Sequence, residues 1–352
     1  MRERGWTALA FPTNMELLAV LLQRGSPMNH HFGLRAAVFS LGVFLTLPAA
    51  AQMEIKLGHV LGESHSWHVA AAGFAREVAE KTGGRVKINV YPSSQLGSEK
   101  DMIEGLQIGS QQAGLIGSGS FQPIEPKLGI VELPYAWPTR EHAYRAFDGE
   151  LGAALAKLIE AKNIVTLAWW ENGFRHITTK GDPVRTPADL KGLKIRVTPD
   201  KMRLDTFRAL GAEPAPLAFG ELYSALQQGV FQAQENPLAI IYSSSFFEVQ
   251  KSASLTGHVW GAACLVFAKT AWSRISTADQ QAIRTSAIEW GTKQRKMIAD
   301  SEADLAKKLQ EKGMTVVEVD KAPFVAAVQP VWKEFGAQFG PELMGLLDKY
   351  RQ

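Results

Sequence analysis

Residues 276–312 read STADQQAIRTSAIEWGTKQRKMIADSEADLAKKLQEK, and this run decides the architecture. It has no proline, is rich in Ala, Gln, Glu, Lys and Arg, and opens with Ser276 and Asp279 at capping-box spacing. It therefore reads as one helix. About 35 helical residues extend roughly 50 Å, more than the width of one lobe of a chain this size, so the helix has to run across two. Gly291 is a candidate bend within it, with a close packing contact as the alternative.

Working outward, the flanking sequence alternates strands and helices. Ile55, Leu57 and His59 alternate with Lys56 and Gly58 as a short strand, and Ser64 or Ser66 then caps a helix with Ala70, Phe74 and Val78 on one face. Gly83 and Gly84 end that helix. Val86, Ile88 and Val90 form the next strand, and Ser98 with Asp101 opens another helix, giving the β-α-β-α rhythm of a parallel sheet. A second α/β region follows, with a helix at 151–161, strands at 164–169 and 193–197, a helix at 201–210 closed by Gly211, and a helix at 221–228 closed by Gly229. The strand at 230–234 is expected to break at Asn236-Pro237. A last strand at 315–319 and helices up to residue 347 complete the chain. The expected partition gives the first lobe 52–172 with 262–301, and the second lobe 173–261 with 302–352.

Composition narrows the setting. The 352 residues are 46% hydrophobic and 21% charged, enough to bury two cores of ordinary size. The formal charge is +3 and the basic residues are dispersed, which argues against a nucleic-acid partner. From Met28 the chain shows a polar stretch ending in Arg35, an apolar run at 36–47, then Pro48 and alanines 49–51. That order is a secretory leader, 28–51, cleaved near Ala51, with 1–27 an upstream extension ahead of the true start. No later segment has the uninterrupted apolar length of a membrane helix, so a periplasmic protein without stable membrane insertion is expected. The single cysteine, Cys264, lies in the apolar run 262–268 and reads as a buried strand residue.

Catalytic signatures are missing: the chain has no HExxH, no CxxC, no phosphate loop and no nucleophile elbow. Gly117-Ser118-Gly119-Ser120 reads as a tight strand-to-loop turn. His59, His65 and His68 are close in sequence but lack a third ligand at metal spacing, so capping, packing or cleft lining is expected, with no metal and no cofactor. Trp169, Trp170, Glu171, Asn172, Gly173, Phe174 and Arg175 form a cluster that suits the wall of a small-molecule pocket, or equally a core tryptophan beside surface residues. Arg196, in Lys194-Ile195-Arg196-Val197, is either a surface ion-pair member or a cleft residue whose planar fork holds a carboxylate. Asn236 is a turn residue before proline, or an amide donor to the same anion.

Several ordered stretches resolve these alternatives by resemblance. Tyr91-Pro92-Ser93-Ser94-Gln95-Leu96-Gly97, Leu133-Pro134-Tyr135, Asn172-Gly173-Phe174-Arg175, Leu190-Lys191-Gly192-Leu193-Lys194-Ile195-Arg196-Val197, Gln234-Glu235-Asn236-Pro237-Leu238 and Phe247-Glu248-Val249-Gln250-Lys251 occur in the order found in the DctP-type substrate-binding proteins of TRAP (tripartite ATP-independent periplasmic) transporters. The set spans nearly the whole expected mature chain. The resemblance implies a two-lobed α/β periplasmic binding protein fold with a long helix crossing both lobes. It also implies capture of an organic acid, such as a C4-dicarboxylate or uronate, for TRAP permease subunits, and a monomer is expected. It assigns the carboxylate grip to Arg196, with Arg175 and Asn236 as helpers and Phe219 as an aromatic wall. Trp169, Trp170, Glu171, His59 and Ser118 join the expected ligand contacts.

Departures matter too. Phe231-Gln232-Ala233 stands where relatives commonly read Val-Asp-Gly, and Gly117 and Ser120 replace charged contacts of relatives specialised for sialic acid. A sialic-acid ligand is therefore not expected. The competing classes are a periplasmic enzyme using Glu171, His176 or the N-terminal histidines as acid or base, and the binding protein of an ATP-driven importer.

Overall fold

A computed structural model describes residues 52–352; the expected upstream extension and leader lie outside the described residues. In chain order the elements are β1 (Met53–Gly58), α1 (Ser66–Lys81), β2 (Val86–Tyr91), α2 (Glu99–Ile108), β3 (Ala113–Gly117), α3 (Arg140–Asp148), α4 (Glu150–Glu160) and β4 (Ile164–Thr179). They continue with β5 (Lys194–Val197), α5 (Lys201–Ala209), β6 (Glu213–Pro216), α6 (Leu222–Gln227), β7 (Ala233–Pro237), α7 (Leu238–Ser243), β8 (Ser252–Leu255), β9 (Trp260–Ala268) and α8 (Lys269–Trp272). The chain closes with α9 (Thr277–Glu311), β10 (Thr315–Glu318), α10 (Ala322–Ala327) and α11 (Gln329–Arg351).

The caps expected at Ser98 and Ser276 form, whereas α1 is capped not by Ser64 or Ser66 but by His65, whose Nδ1 accepts from Trp67 N at 3.1 Å. Ser98 Oγ accepts from Asp101 N at 3.3 Å while Asp101 Oδ2 accepts from Ser98 N at 2.8 Å, and Ser276 Oγ accepts from Asp279 N at 3.2 Å to start α9. These bonds satisfy amides that the first turn of a helix leaves unpaired.

β4 holds the two lobes together. It was expected to end at Trp169 but runs on to Thr179, because nearly every residue beyond that point is buried and the polar alternation that marks a half-exposed strand is missing. Its first part pairs antiparallel with β9, and its second part with β7 on one edge and β8 on the other. One half-sheet therefore has the order β2-β1-β3-β9-β4 and the other β4-β7-β5-β6, with β8 and β10 on the far edge of β4. Where the strand passes between them the register with β9 shifts between Glu171 and Gly173, and Gly173 takes φ 116°, a conformation glycine adopts without strain.

α9 fastens this crossover. It packs on α1 and β4 and, farther along, on α7 and β10, so it spans both half-sheets as its length requires. Buried Gln294 accepts from the Glu171 amide at 2.9 Å and donates to the Glu171 carbonyl at 2.9 Å, pairing backbone groups beside the bulge. Gly291 is the packing contact of the two expected alternatives. A Cβ there would lie 2.6 Å from Trp170 Cδ1, and the Trp170 indole donates to the Ala287 carbonyl at 2.9 Å.

One other expectation needs correction. β7 begins at Ala233 and carries through Asn236-Pro237, because the residue before proline is driven to extended backbone and here prolongs the strand to its last position. α11 packs on α3 and α4 as well as on α5, bending at Gly340 ahead of Pro341. Cys264 is buried in β9, as its apolar surroundings predict.

Gly291→Val should lower stability by about 1–3 kcal/mol, the usual penalty for forcing volume into a filled core. Denaturant titration checks this, and an unchanged midpoint would mean the contact with Trp170 yields freely.

Candidate functional site

The decisive side chain comes from a four-residue strand. In β5, Ile195 and Val197 are fully buried in the apolar core of the second half-sheet, so strand alternation sends Arg196 to the other face. Arg196 is only 2% exposed. Its Nε and Nη2 donate to the Leu217 carbonyl at 2.9 and 2.6 Å, and it makes no ion pair among the described residues. Burial lowers its pKa to about 10, with repulsion from Arg175 and Arg203 adding to the effect and Glu235 and Glu99 opposing it. At neutral pH it remains a buried cation with a neutral partner and unused N–H donors.

Its neighbours, by contrast, are neutralised. Arg175 on β4 donates from Nε to Glu235 Oε2 at 2.5 Å and from Nη2 to Glu235 Oε1 at 2.7 Å, and to Asn236 Oδ1 at 3.0 Å. Asn236 Nδ2 donates in turn to Gln234 Oε1 at 2.5 Å. Glu235 also accepts from Arg203 Nη1 at 2.6 Å and from His258 Nε2 at 3.1 Å. Burial works against the Glu235 charge, yet Arg175 and Arg203 outweigh it and hold the carboxyl well below its ordinary range. Arg203 reaches on to Glu132, which also accepts from Ser118 Oγ at 3.1 Å. Arg203, at the start of α5, and Glu132, before the Leu133-Pro134-Tyr135 motif, thereby tie the second half-sheet to the first.

Across from Arg196 stands Glu99, the first residue of α2. Its Oε1 accepts from the Gly117 amide at 2.8 Å and its Oε2 from Ser120 Oγ at 2.5 Å. Burial raises its pKa, even though those hydrogen bonds and the charges of Arg196 and Arg175 favour the ionised form. Between these groups lies a small cavity, walled by Arg196, Arg175, Asn236, Glu99 and Ser118, with Trp67, Leu61, Phe219 and Ile240 as apolar surfaces. The arrangement is a fixed cation opposite a carboxylate with apolar sides. It can hold a small molecule that is anionic at one end and donates hydrogen bonds at the other.

Five of the nine expected contacts converge here: Arg196, Arg175, Asn236, Phe219 and Ser118. The other four do not, and β4 geometry explains three of them. Trp169 walls a separate hollow with Asp148 and Arg295, and Trp170 is turned onto α9. The Glu171 carboxylate is taken up by Tyr144 and by Trp260 Nε1, the latter at 3.1 Å, with Arg140 nearby. The bulge after Glu171 restarts the alternation, so that Arg175 faces the cavity and the residues before the bulge do not. His59 is fully buried with Nε2 3.2 Å from His68 Nδ1. Burial foremost lowers its pKa to about 3, as it does for His65 and His176, so all three are neutral at physiological pH.

Glu99, Trp67, Arg203 and Glu132 line the cavity without having been expected there. Glu99 is hidden because an acid in the first turn of a helix already has a helix-dipole role. Trp67 is hidden between His65 and His68, although it adjoins the cap of α1. Glu132 alone had a signal, its place immediately before a quoted motif.

The chain matches the model of the family described as bacterial extracellular solute-binding protein, family 7, over residues 57–338. It is 35% identical over 292 residues to the 2,3-diketo-L-gulonate-binding periplasmic protein of Escherichia coli, covering 83% of this chain and 89% of that one. Among solved structures, it resembles a TRAP periplasmic solute-binding protein from a Polaromonas species bound to D-erythronate, with 38% identity, a TM-score of 0.82, and coverage of 84% of this chain and 98% of that one. A similar match is the TRAP periplasmic solute-binding protein from Roseobacter denitrificans with bound L-galactonate, with 35% identity, a TM-score of 0.80 and coverage of 86% and 99%.

Glu235→Gln should destabilise the protein by about 3–5 kcal/mol, since it leaves Arg175 buried without its counter-charge while Arg203 keeps only Glu132. Equilibrium denaturation reads the loss. A change within a few tenths of a kcal/mol would show that solvent or a rearranged carboxylate compensates.

Proposed function

This chain belongs to the bacterial extracellular solute-binding protein family 7, and on that premise we propose that it captures a hydroxylated organic acid for a TRAP permease. The observation that carries the reading is Arg196, a buried guanidinium that faces the cavity and has no carboxylate partner of its own. A ligand carboxylate would take its unused N–H groups, in the bidentate geometry that a planar fork favours. Arg175 would serve through Nη1, its other nitrogens being held by Glu235 and Asn236. Asn236 acts mainly by fixing Arg175, because its amide nitrogen is committed to Gln234.

Glu99 narrows the ligand class. Each of its oxygens already accepts one protein hydrogen bond and has a lone pair to spare, so ligand hydroxyls at that end would be welcome. A second ligand carboxylate there would face Glu99 directly. Hydroxylated monocarboxylates such as sugar acids are therefore favoured over C4-dicarboxylates, with Trp67 and Phe219 covering the carbon skeleton. Gly117 and Ser120 are occupied with Glu99 and supply no charge for a sialic acid.

Binding, not turnover, is the proposed task. The expected acid-base candidates Glu171 and His176 lie outside the cavity wall, and the ligand should be recovered unaltered after incubation. The two half-sheets would act as lobes moving about β4, β9 and α9, divided close to 52–172 with 262–301 and 173–261 with 302–352. Closure would present the loaded monomer to the membrane subunits. Secretion by the 28–51 leader, cut near Ala51, completes the proposal.

A thermal-shift screen of sugar acids, simple hydroxy acids and dicarboxylates should raise the melting temperature most for hydroxylated monocarboxylates. Silence across all three classes would overturn the reading. For a ligand so found, Arg196→Met should weaken binding by about 2–5 kcal/mol in a calorimetric titration; near-normal affinity would remove Arg196 from the site. Glu99→Gln should diminish the preference for D-erythronate over n-butyrate, which has the same carbon chain without hydroxyls. An intact preference would take Glu99 out of hydroxyl recognition.

A further inference from the structure

The face of β4 opposite Arg175 borders a second hollow. Phe174 and His176 flank Arg175 in the strand, so their side chains go to the other side, where both wall a solvent-open space of about 1360 Å³ bordered by α9. Trp137, Leu238, Leu255 and Val325 supply further apolar surface. α9 contributes Ala299, Ala303 and Ala306 at helical spacing, small residues that leave the space unfilled.

The polar groups around it are unbalanced toward donors. Trp137 Nε1 and the Tyr135 hydroxyl are buried without any hydrogen-bond partner, and both residues belong to the wall. A buried donor left unpaired is costly and calls for an acceptor. Tyr135 is also held at φ 58°, its amide donating to the His258 carbonyl at 2.8 Å, a backbone conformation that a non-glycine residue keeps only under constraint from its surroundings. His176 Nδ1 accepts from the Gly257 amide at 3.1 Å, which places the ring proton on Nε2 and makes that nitrogen another donor.

Charge points the same way. Lys321 makes no ion pair among the described residues, and its ammonium stands beside His176: a Cβ on Gly257 would lie 3.1 Å from Lys321 Nζ and 4.0 Å from His176 Cε1. Two carboxylates also border the hollow. Glu302 is bound to Arg140, and Glu318 lies at the exposed end of β10. The Lys321 and His176 corner is the part of the wall that presents cationic and N–H donors together.

We propose that this hollow is a second ligand site, for a small, largely apolar carboxylic acid whose carboxylate meets Lys321 and His176 and whose body packs on Phe174, Leu238 and Trp137. The site shares no residue with the cavity around Arg196, and it stands whether or not that cavity takes the hydroxylated acid proposed for it.

Phenylacetate is the probe, titrated calorimetrically into the purified wild-type protein and into Arg196→Met, which removes the carboxylate grip of the other cavity. Saturable binding in the millimolar range or tighter is expected in both. Ala303→Trp, on an exposed part of α9, should abolish it by filling the hollow. Lys321→Met should weaken it about three- to fivefold, the worth of a partly exposed ion pair, and neutral phenylacetamide should lose affinity to a similar degree. Circular dichroism establishes that the variants fold, and Lys321→Met decides alone if Ala303→Trp does not. Absence of saturable binding overturns the proposal, as does binding that disappears in Arg196→Met or that neither hollow variant alters.

Discussion

Everything in this molecule hangs on β4, a single strand that belongs to two half-sheets. A strand shared in this way must change partners along its length, and a change of partner on one edge breaks the ladder and leaves backbone groups to be paired. Here the break falls between Glu171 and Gly173, and the Glu171 amide and carbonyl are taken up by Gln294 from α9. Trp67 Nε1 also donates to that carbonyl, at 2.8 Å, from the first turn of α1. The long helix is thus fixed to the strand at the crossover, with Gly291 admitting the Trp170 indole one turn earlier. The bulge also sets the direction of every later side chain in β4, which is why Arg175 meets Arg196 and Asn236 while Trp169 and Trp170 serve the core.

That constraint explains what was legible in the sequence. α9 could be read outright, because capping, composition and length all agree over an uninterrupted run, and β1 and β2 could be read from their alternation. β4 could not be read to its end: with both faces buried its pattern has no polar beat, and glycine in its middle looks like a stop. The tryptophans were misplaced for a related reason, since an extra residue at a bulge reverses which face follows, and nothing in the local sequence marks it. Periodicity left Arg196 undecided between surface and cleft. The ordered motifs pointed to the cleft, and the burial of Ile195 and Val197 supplies the physical reason it turns toward the cavity.

Glu99 and the Arg203–Glu132 pair were invisible for a different reason. Each is an ordinary residue where it stands in sequence, an acid in a helix first turn or an arginine on an amphipathic helix, and acquires its role only through elements far away in the chain. Glu99 depends on Gly117 and Ser120, and Arg203 on Glu132 and Glu235. Spacing rules detect partners a few residues apart. A site assembled across two half-sheets is written mostly in contacts of long sequence separation.

The distribution of charge then explains how capture and closure can be one event. Three arginines, Arg175, Arg196 and Arg203, approach three carboxylates, Glu235, Glu132 and Glu99; the hydrogen bonds assign the first two to Arg175 and Arg203, while Glu99 is held across the cavity by Gly117 and Ser120. Arg196 is left with a peptide carbonyl. Moving a guanidinium out of water without a directly bonded counter-charge is unfavourable by several kcal/mol, so in the proposed function closing the lobes around Arg196 would be opposed by its desolvation. An anion that enters with its own carboxylate removes that opposition, and only a ligand that interacts differently with open and closed forms can shift the balance between them. Glu99 adds the complementary restriction, because a ligand with a second negative charge would exchange one unpaired cation for two facing carboxylates. On the proposed function, selectivity and closure would both follow from one feature, a buried guanidinium to which no carboxylate of the protein is bonded.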